Sequence, residues 1–148
     1  MLPVPYPLAR LVEDAVACPL LFVWNGRVED VVVDGWLAER QLVVPEDVRA
    51  LWIETGGGTI FETEELLAPA APDEPTLISS PVAGVVFYSG AFGRAAIQQP
   101  GGNLVLIDRD ETVHPLSSLA AWYFLIRGEF AQRYGLRITA VLLALVRS

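Results

Sequence analysis

The stretch PEDVRALWIETGGGTIFETEELLAP, Pro45 to Pro69, decides how this chain is read. Pro45 has the fixed backbone angle that suits a first helical position, and Glu46 and Asp47 complement the positive end of a helix dipole. Val48, Leu51, Trp52 and Thr55 recur at the i, i+3, i+4, i+7 spacing of one helix face. Gly56 can take the left-handed conformation that ends a helix. Thr59-Ile60-Phe61 then reads as a strand leaving the turn, and the acids Glu62, Glu64 and Glu65 come next.

Gly56-Gly57-Gly58 resembles a phosphate loop in composition only. Phosphate loops place their glycines before a helix, where free N–H groups and the positive dipole end meet the anion. Here the glycines come after a helix, so carbonyls and partial negative charge face outward. The triplet is expected to be a chain-reversing turn.

Upstream, Leu8, Leu11, Val12, Ala15 and Val16 recur at helical spacing, which predicts a first helix from Tyr6 to Ala17. Pro19 prevents its continuation. Leu20 to Trp24 is a short apolar run that ends at Asn25-Gly26, a turn signal. Glu29 to Arg40 fits a second helix, although Gly35 weakens it and Val31-Val32-Val33 would also suit a strand.

Downstream, residues 69–81 form a surface loop rich in proline and alanine. Strand patterns occur at Gly84 to Tyr88, Arg94 to Gln98 and Asn103 to Asp108, with a type II turn expected at Gln99 to Gly102. Leu104 and Leu106 alternate with Val105 and Ile107, so both faces of that strand are apolar and it belongs at the centre of a sheet. A polar turn at Asp108 to Glu111 leads to a short strand ending at His114. Ser117 or Ser118 can cap a last helix whose stripe is Leu119, Trp122, Tyr123, Ile126 and Phe130. Arg137 to Arg147 fits helix or strand. The fold class is α+β: an antiparallel meander of about four to six strands with helices at both ends, in one domain spanning 1–148.

The chain has 148 residues and a formal net charge of -8. A domain of that size buries about 70% of its unfolded surface, so metal or disulfide staples are not required. Cys18 is the only cysteine, so it cannot form an intramolecular disulfide, and it is expected to act as a small buried hydrophobe. With no basic leader and no apolar run near the ~20 residues of a membrane span, the expectation is a cytoplasmic protein. Residues 46–74 carry eight acids against Arg49 alone, a net of -7. Such a face repels nucleic acid and accelerates encounter with a basic protein. All ten basic residues are arginines, so Schiff-base lysine chemistry and a Walker-type phosphate lysine are excluded.

His114 is the only histidine, and no G-x-S-x-G elbow or zinc ligand set accompanies it. Glu62 and Glu64 would share one face of a strand, so an acid–base hydrolase using either carboxylate with His114 is the enzymatic alternative. It requires those groups to converge. Trp24, Trp36, Trp52 and Trp122 are read as core, with one of them available as a binding anchor.

The residues Pro45-Glu46-Asp47-Val48, Leu51, Trp52, Gly56-Gly57-Gly58 and Phe61 resemble the SMI1/KNR4, or SUKH, superfamily. Phe92 to Ile97, Leu104 to Asp108 and Ser117 to Ile126 match its later strands and closing helix in order, so the resemblance covers residues 36 to 127. It implies a non-catalytic α+β module without cofactor or metal. It further implies a bacterial immunity protein that binds and neutralises a toxin domain, often a nuclease. On that reading Glu54, Glu62, Glu64 and Glu65 are the expected partner contacts. Another alternative is a self-associating structural or regulatory protein, driven by the apolar segment Ile138 to Val146.

Overall fold

A computed structural model describes residues 6–134. The order is α1 (Tyr6–Ala17), a 3₁₀ turn (Pro19–Leu21), β1 (Phe22–Trp24), α2 (Asp30–Arg40), α3 (Glu46–Thr55), β2 (Gly58–Ile60) and β3 (Glu64–Leu66). Then come β4 (Thr76–Ile78), β5 (Gly84–Gly90), β6 (Gly93–Gln98), β7 (Asn103–Ile107), β8 (Val113–Pro115) and α4 (Leu119–Tyr134). The fold is α+β, and the open antiparallel sheet has eight strands rather than four to six. Its order is β1-β2-β3-β5-β6-β7-β8, with β4 pairing β5 beyond the end of β3. The added strand lies inside the segment expected to be loop: Thr76 to Ile78 pair with Val86 to Gly84. The ambiguous segment Arg137 to Arg147 and the apolar Ile138 to Val146 lie outside the described residues.

The helices share one face of the sheet. Leu11, Val33, Leu51, Trp52, Trp122 and Phe130 are buried with Phe22, Ile60, Leu66, Ile97 and Leu104 in one cluster. A β-bulge between Val86 and Tyr88 lets two successive aromatics, Phe87 and Tyr88, enter that cluster. Both rings meet Trp122 edge-to-face, with centroids at 5.5 and 5.4 Å. The opposite face carries a smaller cluster of Leu67, Val86, Ala96, Val105 and Ile107, with no helical residue in it. β7 is therefore apolar on both sides, as its sequence requires.

The Pro45 to Pro69 stretch folds as its punctuation indicates. Gly56 ends α3 at φ 64°, donating its N–H to the Trp52 carbonyl. The turn signal Asn25-Gly26 ends β1 at Trp24 without forming a hairpin. Instead the chain from Asn25 to Val28 lies against the end of α3, with Gly26 and Val28 donating to the Thr55 and Ile53 carbonyls. The Asn25 amide also donates to the Gly56 carbonyl at 3.1 Å. Carbonyls that a helix C-terminus leaves without partners are thereby satisfied.

α1 is rotated away from its apolar stripe. Leu11 is buried, but Val12 and Val16 are exposed and Asp14 points inward. The Asp14 carboxylate accepts hydrogen bonds from the Tyr123 hydroxyl at 2.6 Å and from Arg127 Nη2 at 2.9 Å, with Arg127 Nε as a third donor. This buried pairing joins the first helix to the last. Elsewhere the α2 alternatives resolve to helix, with only Val33 of the three valines buried. At the turn after β6 the Gln99–Pro100 peptide is cis, in place of the expected type II turn. Cys18 is half-buried against the main cluster. Among the described residues no helix is long and apolar enough to cross a membrane.

Candidate functional site

The four carboxylates expected to meet a partner do not form one surface. Alternation along β3 separates two of them, because successive side chains of a strand point to opposite faces. Glu65 points to the helix-free face, in a row that continues across the paired strands as Thr59, Glu65, Ser89 and Arg94. Glu64 points to the helix side and is 1% exposed. The expectation that it contacts a partner is corrected: Glu64 is a buried anchor.

The surroundings of Glu64 explain how a carboxylate is tolerated there. Oε1 accepts the Tyr88 hydroxyl and the Ala91 N–H at 3.0 Å, while Oε2 accepts the Thr63 hydroxyl at 2.9 Å. A buried carboxylate with its lone pairs occupied avoids most of the desolvation penalty. Gly90 is part of the cradle, since a Cβ there would lie 2.2 Å from Glu64 Oε1. The anchor ties β3 to the β5–β6 connection and leaves no room for a partner.

Glu62 was expected to share a strand face with Glu64. It lies instead in the turn between β2 and β3, at φ 66°, exposed to solvent. Glu54 is exposed at the end of α3 and ion-pairs with Arg27. It borders a groove with Phe22 and Trp24, on the helix side of β1, away from Glu65. The structure keeps Glu62 and Glu65 as accessible carboxylates of the β2–β3 unit and assigns Glu54 to a different surface.

Two further acids join Glu65. The loop after β3 brings Asp73 and Glu74 alongside it, in an open groove of about 390 Å³ whose lining includes Ser89 and Arg94. Glu74 accepts from Trp36 Nε1 at 3.3 Å, which holds this end of the loop against α2. Arg94 is engaged by Glu111 at 2.7 Å, so the cation in the groove is already neutralised. Asp73 and Glu74 belong to the segment of net charge -7, but read as loop they gave no sign of folding back beside Glu65.

His114 does not approach these groups. It sits on β8, four strand spacings from β3 along the sheet, or roughly 19 Å at ~4.8 Å per strand. Its Nε2 lies 2.8 Å from Asp108 Oδ2 on the surface. Hydrogen bonds from Asp110, from His114 and from the Thr112 N–H hold the Asp108 carboxyl down to about 2. The convergence that an acid–base pair would need is absent. Among the described residues no group of three or more His, Cys, Asp or Glu side chains is placed to hold a metal ion.

Two tyrosines titrate abnormally because they are buried beside carboxylates. Burial, reinforced by the Glu64 and Asp14 carboxylates respectively, raises the Tyr88 and Tyr123 hydroxyls above their ordinary value. An ultraviolet titration of the folded protein is therefore expected to miss both phenolates in the range around pH 10 where free tyrosine ionises. A raised folded pKa leaves these groups neutral while the unfolded chain loses its protons. Stability should then fall as pH climbs above about 10. Ionisation of all four tyrosines in the folded protein near pH 10 would contradict the burial of these two.

No protein-family profile, curated protein or solved structure matches the chain.

Proposed function

We propose that this chain is a non-catalytic protein-binding module, and that it acts as a SUKH-type immunity protein neutralising a toxin domain with a basic surface. The observation that carries the reading is the acidic groove on the helix-free face. Glu65, Asp73 and Glu74 line it, its one arginine is paired with Glu111, and Glu62 stands exposed at the end of the same strand pair. Glu74 is shared with Arg40 at 3.9 Å, which leaves Glu65, Asp73 and Glu62 as the carboxylates that attract a cationic surface over roughly a Debye length. The Pro45 to Phe61 resemblance supplies the immunity assignment, and the binding needs no reacting group.

The test uses a basic toxin domain encoded beside this gene, with association followed by stopped flow. At low salt, reversing Glu62, Glu65 and Asp73 to arginine should slow association about tenfold and flatten its salt dependence. Reversing Glu54, on the other surface, should have a smaller effect. Association that is indifferent both to salt and to the triple reversal would remove the acidic groove as the contact. A nuclease or other toxin that stays fully active in the presence of the protein would remove the immunity assignment.

A further inference from the structure

We propose that β1 is the seam of a two-fold homodimer, in which the sheet continues from one copy of the chain into a second. β1 ends the sheet, with β2 as its only strand partner among the described residues. The Asn25 N–H donates to the Gly57 carbonyl. Because peptide direction alternates along a strand, the Val23 peptide groups also face β2, and those of Phe22 and Trp24 face outward. An open strand edge of this kind is a template for another strand.

The other two open edges carry protection that β1 lacks. β8 contains His114 and Pro115, and β4 is bracketed by Pro75 and Pro81. Phe22-Val23-Trp24 contains neither charge nor proline. Around it lie the two most exposed large hydrophobic side chains among the described residues, Leu20 at 87% and Val16 at 77%, and Val23 itself is 61% exposed. A groove of about 360 Å³ runs beside the edge between α1 and β1, lined by Val12, Val16, Pro19, Phe22 and Trp24. Val12 and Val16 are the residues that the rotation of α1 turns away from the core.

Charge selects a second copy as the occupant. Two chains of net charge -8 repel one another over most of their surface. Phe22-Val23-Trp24 carries no charge, and beside the groove Arg27 is paired with Glu54. A strongly basic partner gains nothing there and is drawn to the acidic groove on the helix-free face. A neutral, apolar surface with an open strand suits its own copy, because a two-fold contact joins identical patches.

The geometry fixes the register. With the Phe22 and Trp24 peptides bonding across the seam, Val23 opposes Val23 of the second copy as a non-hydrogen-bonded pair, with Cα atoms ~4.5 Å apart. Phe22 then opposes Trp24, and the two α1 helices meet through Val12 and Val16. Val23 shares a cross-strand row with Thr59 and Glu65, so the acidic groove begins two strands in from the seam, and neither Glu65 nor Asp73 belongs to the strand that pairs across it.

Sedimentation velocity on the full chain tests the proposal. A concentration-dependent dimer is expected between about 1 and 100 µM, and Val23→Lys or Leu20→Glu should raise its dissociation constant about tenfold or more. Both side chains are exposed, so circular dichroism should be unchanged. The companion variant Val23→Cys, in a Cys18→Ser background, should form a disulfide-linked dimer under mild oxidation, since ~4.5 Å lies within the Cα range of a disulfide. A wild-type chain that is monomeric at about 100 µM would overturn the proposal. So would a dimer that ignores Val23→Lys and leaves the introduced thiols unlinked.

Discussion

Replacing Arg127 with methionine should destabilise the fold by about 3–5 kcal/mol, the usual cost of removing one member of a buried ion pair. The Asp14 carboxylate that remains is 4% exposed and has no route to water without moving α1. Tyr123 would still donate to it, but a neutral hydroxyl does not balance a buried charge. Asp14→Asn should be costly for the converse reason, because the Arg127 side chain is 0% exposed and would lose the carboxylate that it pairs with. The double variant Asp14→Asn/Arg127→Met removes both charges and keeps an acceptor for Tyr123. It should therefore be more stable than the sum of the two single losses predicts, with the coupling read from a double-mutant cycle in urea. If both single variants lose less than about 1 kcal/mol, the pair behaves like an exposed one and the clamp between the first and last helices is not what holds α1.

That clamp also marks the limit of what local sequence encodes. The helix Glu46–Thr55, its glycine stop and the apolar stripe of α4 were legible because each is written in local spacing and backbone preference. α1 was legible as a helix, but its inward face was not. Periodicity favoured Val12 and Val16, while a partner 113 positions away decided the rotation in favour of Asp14. Glu64 shows the same limit on a strand. Alternation separates Glu64 from Glu65, but the pairing of β3 with β2 and β5 decides which of them meets the core, and the turn at Phe61 to Thr63 takes Glu62 out of the strand. The bulge at Phe87 and the docking of Asn25 to Val28 on α3 likewise depend on neighbours distant in sequence. The candidate site was thus half visible: its charge could be counted, but the fold sorted Glu65 and Asp73 together and removed Glu64 and Glu54.

Substituting Gly58 by alanine should be among the most damaging single-methyl changes between Pro45 and Pro69, at about 4 kcal/mol or more. Gly58 has φ 144°, outside the range L-residues ordinarily adopt, and a Cβ there would stand 2.0 Å from the Val23 carbonyl oxygen and 3.0 Å from the Trp24 Cα. Both atoms are backbone, so no side-chain rotation relieves the overlap. β1 would have to leave β2, losing the pairing of Phe22, Val23 and Trp24 with Ile60, Thr59 and Gly58. Gly35→Ala is the matched comparison. It adds the same methyl in the middle of α2, where nothing lies within 4 Å of the new Cβ. With ordinary helical angles and a less flexible unfolded chain, that variant should gain about 0.5–1 kcal/mol. Equilibrium urea unfolding of the two proteins should give opposite signs. Similar small changes in both would mean that β1 can shift by an ångström at little cost, and that the glycine triplet is held by turn geometry alone. A large loss confined to Gly58 would instead place the reason for the triplet in the strand that lies across it.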